Sequence, residues 1–546
     1  MLFKKALVLS PLTINYLIVA LPSFLLIAYD YLVRRGDLAS MVALRLTACQ
    51  LIAAGETPYL DFLDLSQPVI YELFAWPARI QALLLQLGLA VRLEELTKGI
   101  FLFLLTWSSL AIFFILKAGL EKVKSTSDIA GENKDLEQLI LPLSLTPILL
   151  TYFARFQIGE VQWLISLALL PWLAMRYLAY QGQSIHVLPA LICGAMAGLA
   201  VSIEFPYFLA PLAMEVVLAG TYKRIKPVLS YENLGLLLAL MVVFMRISQL
   251  PVPMQNAYHD WIMPLRYLQF ENLDEMILGL GTSPELSYVF YLFAAAFALY
   301  VFLGERFVKP LFLGASLAVV GLAFFLLEKQ GFTRDIVLAM SGILFVFVSA
   351  INYGLSRLSQ GRVQVALLSL FVLAYSLIYW RSIERDFSDA ISPTPKDVVA
   401  GVIDINLFVQ NRSNWHSPIA IFCDQVDPAF PLLFNLERTP GTYVLNGRPL
   451  RFLLKLKRIN QLGGHLKELA DHINSNLRSE FSSKRADFVL LHGAYMQEYL
   501  QENGLLDLLR NNYDRDQNVM FLSDNKQPRE FLGYYFSFET YRRRDK

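Results

Sequence analysis

Long apolar segments recur through the first 380 residues of the chain, separated by short polar stretches. A membrane-spanning helix needs roughly 20 consecutive apolar residues, and eleven segments come near that length. This pattern predicts a polytopic α-helical membrane protein. The predicted spans are 6–29, 95–117, 138–154, 159–178, 187–203, 206–221, 232–250, 286–303, 310–327, 335–353 and 363–380.

A further apolar run, 69–90, decides the topology of everything that follows it. Glu72, the pair Trp76-Pro77 and Arg79 interrupt this run. If it stays at the outer surface as a re-entrant or interfacial helix, the basic residues of the later loops all lie on the side of the N-terminus, as the positive-inside rule requires. We therefore predict eleven spans, with the N-terminus inside and the C-terminal domain outside. The basic residues placed inside are Lys4, Lys5, Lys117, Lys122, Lys124, Lys134, Lys223, Arg224, Lys226, Arg306, Lys309, Arg357 and Arg362.

The composition changes after Trp380, where charged and apolar residues become mixed. Apolar runs at 418–424, 487–493 and 518–524 have the length and composition of buried strands. Between them, helical periodicity occupies 463–480 and 494–511. The sequence thus predicts two domains: a transmembrane domain over 1–380 and an extracytoplasmic α/β domain over 381–546.

Overall composition agrees with membrane insertion and excludes some partners. Hydrophobic residues make up 55% and charged residues 17% of the 546-residue chain, and the mean hydropathy is +0.46. A net charge of +1 argues against nucleic acid as a partner. Three widely spaced cysteines form neither a disulfide framework nor a zinc pattern. The first apolar run has a short basic start and no cleavage motif, so we expect a retained signal-anchor helix.

The first outer loop, 34–94, concentrates carboxylates between two apolar segments. Such groups cost energy beside a membrane unless they pair, meet water or perform a function. An amphipathic helix is predicted from Asp37 to Ala54, with the acid at the positive end of the helix dipole. Gly55 is expected to end that helix, and an acidic segment with Asp61 and Asp64 follows. Our hypothesis is that this loop forms an active-site floor at the membrane surface.

Several motifs in this order resemble a known family. Gly55-Glu-Thr-Pro-Tyr-Leu-Asp-Phe62 and Gln67-Pro-Val-Ile-Tyr71 lead the interrupted apolar run, and Tyr152–Glu160 and Gly198–Tyr207 follow later. Together they are similar to the GT-C glycosyltransferases, which take a sugar from a polyprenyl-phosphate carrier. Aminoarabinose transferase and protein mannosyltransferases belong to this class. The resemblance covers most of residues 1–380, no single motif is specific, and 381–546 matches only in kind.

The resemblance implies roles for acidic residues at matching positions. Asp37 would be the catalytic base that takes the acceptor's proton, with Asp61 and Asp64 as further bases or acceptor-positioning residues. Glu160, at the start of a span, would bind the acceptor or a divalent cation, which Asp37 could share; no other cofactor is expected. Helix capping is the plainer alternative for both Asp37 and Glu160. Arg155 would hold the lipid phosphate through its planar guanidinium, or simply anchor the membrane interface.

One position departs from the family pattern. Where relatives carry a lysine that grips the lipid phosphate, this chain has Glu204, which would repel it. Either donor binding differs, or another cation takes that task, for which Arg334, Arg155, Arg266 and His259 are available. Arg334 is the preferred substitute, and an ion pair with Asp335 is its plainer alternative. The aromatic and ionisable outer segment 251–284 could line a sugar site or be a solvated loop. Predicted substrate contacts are therefore Tyr59, His259, Arg266, Arg334, Arg155 and Glu160.

The resulting expectation is a multi-pass enzyme of the inner membrane that acts on its outer face. It would transfer a sugar from a polyprenyl-phosphate carrier to a lipid, glycan or protein acceptor. Two alternatives remain open from the sequence. One is a transporter or flippase of a lipid-linked glycan, which should show inverted repeats and broken helices. The other is a non-catalytic envelope assembly protein, which the acidic residue at 204 favours.

Overall fold

The computed structural model divides the chain into two compact units, and the division interleaves them along the sequence. Unit 1 comprises Met1–Gly36, Glu94–Met245 and Asn272–Glu384, and unit 2 comprises Asp37–Leu93, Arg246–Glu271 and Arg385–Lys546. Within these bounds, the structure describes residues 10–34, 38–126, 130–154, 157–183, 186–268, 308–328, 336–358, 363–375, 402–423, 426, 429–522 and 535–544.

Unit 1 is built of helices. Six helices in the described residues are long and apolar enough to cross a membrane, which is consistent with a membrane protein. The last three residues of the helix Tyr231–Ser248, Arg246–Ser248, belong to unit 2. The helices in chain order are α1 (Pro11–Tyr29), α4 (Leu93–Thr126), α5 (Ala130–Phe153), α6 (Val161–Tyr180), α7 (Val187–Ser202), α8 (Leu209–Tyr222), α9 (Tyr231–Ser248), α12 (Val308–Glu328), α13 (Val337–Leu358) and α14 (Val363–Tyr375), with α2, α3, α10 and α11 in unit 2.

The candidate spans differ in how much of their surface other helices cover. Of the 18-residue apolar window in α6, 94% is buried, against 33% in α1 and in α9. Apolar side chains on α9, among them Leu237, Met241 and Phe244, are about half exposed. A helix that is apolar on its uncovered side is stable where lipid, and not water, meets it. The central position of α6 and the outer positions of α1 and α9 therefore fit a bundle within a bilayer.

Close backbone contact joins α7 to α9. A side-chain carbon at Gly194 would overlap the carbonyl oxygen of Glu232, and one at Gly198 would meet the carbonyl of Leu236. Gly235 on the facing helix is equally crowded by Leu191. Gly194 and Gly198 form a G-x-x-x-G pair, a spacing that lets membrane helices approach closely. Small residues therefore set the packing of this helix pair.

The predicted spans that lie within the described residues are helices. Six of these helices are candidate membrane spans, whereas the sequence predicted eleven spans. The segment 286–303 lies outside the described residues. The interrupted run 69–90 forms a helix of unit 2, Pro68–Gln86 (α3), and does not count among the six.

Unit 2 contains a six-stranded mixed sheet with helices around it. The strands are β1 (Val402–Asp404), β2 (Pro418–Phe422), β3 (Thr439–Pro440), β4 (Phe488–Leu491), β5 (Tyr513–Leu522) and β6 (Tyr535–Arg543), in the spatial order β1-β5-β6-β4-β2-β3. β6 pairs antiparallel with β4 and β5, whereas β1–β5, β4–β2 and β2–β3 are parallel. The strands predicted at 418–424 and 487–493 are confirmed, and the third is part of the longer β5.

Helices complete unit 2. They are α2 (Ser40–Ala53), α3, α10 (Val252–Ala257), α11 (Met263–Leu268), α15 (Ile405–Arg412), α16 (Ala429–Asn435), α17 (Arg448–Arg458), α18 (Gly464–Ser483), α19 (Ala494–Glu502) and α20 (Leu505–Asn512). The helix predicted at 463–480 is confirmed as α18. The helix predicted at 494–511 is two helices, because Gly504 adopts a left-handed conformation with φ +64° between them.

The segment between α2 and α3 is built into the C-terminal domain through its backbone. Leu63 donates its N–H to the carbonyl of Tyr443 at 2.6 Å, and Leu445 donates to the carbonyl of Leu63 at 3.1 Å. Leu63 and Val444 thus form a parallel bridge. These bonds satisfy backbone groups that burial would otherwise leave unpaired. Residues far apart in sequence are therefore held as one unit.

Candidate functional site

The turn after α2 has a constrained geometry. Gly55 follows the helix with φ +99°, as predicted, although the helix starts at Ser40 and not at Asp37. Tyr59 has φ +69°, a conformation that is strained for a residue with a bulky side chain. Asp61 is exposed, and its Oδ2 accepts the backbone N–H of Thr57 at 2.7 Å. One oxygen of Asp61 thus stabilises the turn.

Asp64 lies at the centre of a buried cluster of phenols. Its side chain is 1% exposed, and its Oδ2 accepts a hydrogen bond from the hydroxyl of Tyr71 at 3.2 Å. The ring of Tyr59 lies 6.1 Å from that of Tyr71, and its hydroxyl donates to the carbonyl of Ser66 at 2.6 Å. Burial, with the nearby Asp64 carboxylate, raises the pKa of both tyrosines well above its usual range. Both phenols therefore stay protonated as hydrogen-bond donors.

The segment that follows α9 brings further polar groups to the same cluster. Tyr258 places its ring 5.9 Å from that of Tyr59, and Arg266 donates a weak hydrogen bond from Nη1 to the carbonyl of Leu65 at 3.5 Å. His259 is exposed, one residue further along a π-helical turn. Hence Asp64, Tyr59, Tyr71, Tyr258 and Arg266, from two distant segments, form one cluster, which we call the tyrosine–aspartate cluster.

The helix pair α2 and α3 carries a buried cation that the sequence analysis did not single out. Arg45 is 4% exposed, and its guanidinium lies 5.4 Å from the centre of the Phe74 ring. One turn later, the thiol of Cys49 donates to the carbonyl of Tyr71. The early turns of α2 are buried on all sides, so the helix is not the amphipathic one predicted. Arg45 lies within the helix predicted from Asp37 to Ala54, and its charge among apolar residues was the available signal.

A second charged cluster links the first loop to the C-terminal domain. Glu480 on α18 is 7% exposed and accepts a 3.0 Å hydrogen bond from Nη1 of Arg485. The other terminal nitrogen of Arg485 lies 3.9 Å from a carboxylate oxygen of Glu56. Burial raises the pKa of Glu480 to about 7, although Arg485 opposes that shift. Glu480 therefore changes charge near neutral pH.

The remaining predicted site residues fall into two groups. Asp37, Arg155 and Arg334 lie outside the described residues, so their predicted roles stay predictions. Glu160 is mostly buried at the N-cap position of α6, yet its side chain makes no capping hydrogen bond there. Glu204 occupies the N-cap position of the short 3-10 helix Phe205–Phe208, also without a side-chain cap. Glu160 thus lies at a helix N-terminus, where a negative charge meets the positive end of the dipole, without a hydrogen-bonded cap.

Unit 1 holds a buried ionic network that the sequence analysis missed. Arg176 is fully buried and forms a two-pronged ion pair with Glu215, with one bond of 2.7 Å from Nη2. Its Nη1 also donates to Glu232 at 2.7 Å, and the hydroxyl of Tyr180 donates to Glu215 at 3.0 Å. The partners lie on α6, α8 and α9, so this ionic network holds the three helices together. The sequence signal for the network was the presence of single charged residues within apolar segments.

Within the described ranges, no group of three His, Cys, Asp or Glu side chains is arranged to hold a metal ion. The predicted divalent cation would involve Asp37, which lies outside those ranges.

The chain matches no protein-family model and no curated protein sequence.

Proposed function

We propose that this protein is a membrane glycosyltransferase that transfers a sugar from a polyprenyl-phosphate carrier to a lipid, glycan or protein acceptor. One observation supports this function most. The first outer loop, the segment after α9 and the C-terminal domain form one unit, within which the tyrosine–aspartate cluster is assembled. A transferase whose first loop carries its carboxylates requires such a rigid support for that loop.

The proposed reaction needs a base, a cation and little else. The bond between the anomeric carbon and the phosphate oxygen breaks, and the polyprenyl phosphate leaves with the electron pair. The acceptor oxygen bonds to the anomeric carbon and gives its proton to a carboxylate, which we assign to Asp37 by the family resemblance. A guanidinium binds the departing phosphate, and Arg266, Arg155 and Arg334 are the candidates.

Asp64 and Asp61 take different parts in this proposal. Asp64 is buried beneath Tyr71 and Tyr59, so we assign it a positioning role in which it orients the tyrosine–aspartate cluster. Asp61 is exposed but has one oxygen committed to the turn at Thr57. The accessible oxygen of Asp61 can still accept a hydrogen bond from a sugar or acceptor hydroxyl. His259, also exposed, is a second contact of this kind.

The proposed placement follows from the charges of the loops. We place the basic loops inside and therefore unit 2 on the outer side of the inner membrane. The full proposal has eleven spans, of which six are among the candidate spans described above. A polyprenyl carrier would reach the site laterally from the bilayer.

The purified full-length chain in nanodiscs, incubated with a panel of polyprenyl-phosphate sugars, tests this proposal. Mass spectrometry of the lipid extract would follow donor loss and the appearance of free polyprenyl phosphate. The proposal expects one donor to be consumed when a suitable membrane extract supplies the acceptor. Sugar movement across the bilayer without donor cleavage would instead identify a transporter. Unchanged donors in every reaction, with intact protein, would contradict the transferase.

A further inference from the structure

A cavity opens on the surface of unit 2 between α18 and the turn that joins α19 to α20. Its volume is about 590 Å³, which falls within the range of roughly 300–1,000 Å³ that small-molecule sites occupy. α18 supplies Asp471, Asn474, Ser475 and Arg478, whose i, i+3, i+4 and i+7 spacing places them on one face of the helix. All the side chains of the described residues that line it are polar. We call this cavity the α18 polar pocket.

Hydrogen bonds hold the two walls of the pocket in place. The hydroxyl of the buried Tyr499 donates to Oδ1 of Asn474 at 3.1 Å, and Nδ2 of Asn474 donates to Oδ1 of Asn503 at 3.3 Å. Arg478 donates from Nη2 to the backbone carbonyl of Asn503. Gly504, with φ +64°, turns the chain at this point. Because the walls are already ordered, a ligand would bind here with little loss of conformational entropy.

Other polar groups of the pocket keep hydrogen-bonding capacity to spare. Within the part of the chain that the structure describes, Asp471 forms no ion pair and the Ser475 hydroxyl forms no hydrogen bond. Arg478 uses only Nη2, so its remaining N–H groups can donate. Glu502 uses one oxygen, which accepts from Nζ of Lys457 at 2.7 Å. The pocket therefore offers unused acceptors and unused donors side by side.

The balance of charge in the pocket selects the kind of ligand. Asp471 and Arg478 carry opposite charges, and Lys457 balances Glu502. An anion such as phosphate would meet two carboxylates, and a cation would meet the guanidinium of Arg478. A neutral molecule with several hydroxyl groups can donate to the carboxylates and accept from the guanidinium at the same time. Neutral saccharides have this chemistry.

We propose that the α18 polar pocket binds a neutral saccharide through its hydroxyl groups. Asp471 and the free oxygen of Glu502 accept hydrogen bonds from the sugar, Arg478 donates to its oxygens, and Ser475 can do either. No bond of the sugar is made or broken in this pocket. The proposal uses none of the residues assigned to the transfer reaction and is independent of that activity.

Saturation-transfer difference NMR on the full-length protein in nanodiscs tests the proposal. The probes are glucose, galactose, mannose, N-acetylglucosamine and maltose. Ser475→Trp fills the pocket, and Ser479→Trp is the matched control, because both serines are exposed on α18 but only Ser475 lines the pocket. We expect at least one sugar to bind the wild type and Ser479→Trp, and its signal to be lost with Ser475→Trp.

A second pair of variants decides the question even if the tryptophan disturbs the fold, which size-exclusion chromatography would reveal. Asp471→Ala removes a charged acceptor and should weaken binding of the same sugar about 10- to 100-fold. Glu468→Ala, at an exposed carboxylate of α18 outside the pocket, should leave the affinity unchanged.

Three results would overturn the proposal. They are no binding by any sugar of the panel, an equal response within each pair of variants, and binding of glycine in place of the sugars, which would indicate a zwitterionic ligand. A protein that consumes a polyprenyl-phosphate sugar but shows no sugar binding dependent on the pocket would refute this proposal alone. Binding that depends on the pocket, without donor consumption, would leave it standing and refute only the transferase.

Discussion

Replacing Glu480 with glutamine should change how the stability of unit 2 depends on pH. The carboxyl group is buried on α18, where Arg485 is its cationic partner. Burial disfavours the charged form more than Arg485 favours it, so the pKa of Glu480 rises from 4.5 to about 7. Glutamine keeps the size and an acceptor oxygen but cannot titrate. The wild-type protein and Glu480→Gln should therefore differ in pH dependence and not only in stability at one pH.

The sign and size of that difference follow from linkage. The folded state binds the proton of Glu480 more tightly than the unfolded state, so this contribution to stability is complete below pH 4.5. It is lost as the pH rises through 7. A shift from 4.5 to about 7, at 1.36 kcal/mol per pKa unit, corresponds to roughly 3 kcal/mol. The group is nearly fully buried, so solvent screening reduces this figure little.

Hydrogen exchange of the amides in β4, next to α18 in the chain, measures this effect. Opening free energies, corrected for the intrinsic exchange rate, would be compared between pH 4.5 and 8 for the wild type, Glu480→Gln and Glu468→Gln. Glu468 is an exposed carboxylate on the same helix and serves as the control. We expect the wild type and Glu468→Gln to lose about 3 kcal/mol more than Glu480→Gln over this range. Parallel pH profiles for all three proteins would refute the reasoning.

Three further substitutions test the packing. Tyr443→Phe removes a 2.6 Å hydrogen bond to the backbone carbonyl of Tyr59 and should lower the free energy of unfolding by about 1–3 kcal/mol. We expect faster proteolysis of the first loop, and an unchanged rate of proteolysis would contradict this prediction. Gly194→Ala should lower the thermal midpoint of unfolding, because overpacking costs about 1–3 kcal/mol. Gly220→Ala is the control, since a side-chain carbon at position 220 meets open space and should leave the midpoint unchanged. Equal midpoints for the two variants would contradict the prediction. Arg176→Met should lower the free energy of unfolding by about 3–5 kcal/mol, because it leaves buried carboxylates unpaired. Adding Glu215→Gln should restore part of that stability. An additive loss of thermal stability in the double variant would argue against the network.

Hydropathy and periodicity predicted much of the architecture because they report local burial. The apolar segments of 1–380 coincide with helices where described, and β2, β4 and α18 lie where their patterns indicated. The break at Gly504 was visible as a glycine, but helical periodicity continues across it and concealed the change of direction. The six candidate spans fall short of eleven partly because α7 and α8, at 16 and 14 residues, are shorter than a full crossing.

The assembly of the candidate site could not be predicted, because it depends on contacts between distant segments. Nothing in the local sequence indicates that Leu63 pairs with Tyr443, or that Tyr258 packs beside Tyr59. Asp64 was identified as a candidate from its charge, but its burial depends on these tertiary contacts.

The initial rate of polyprenyl-phosphate release from the active donor, compared between wild type, Asp37→Asn and Asp61→Asn, tests the central claim most directly. The claim is that a carboxylate of the first outer loop accepts the acceptor's proton during transfer. Loss of a general base costs about 10²- to 10⁴-fold in rate. We predict a loss of this size for Asp37→Asn and a much smaller one for Asp61→Asn, with both proteins folded. A wild-type rate for Asp37→Asn would contradict the claim.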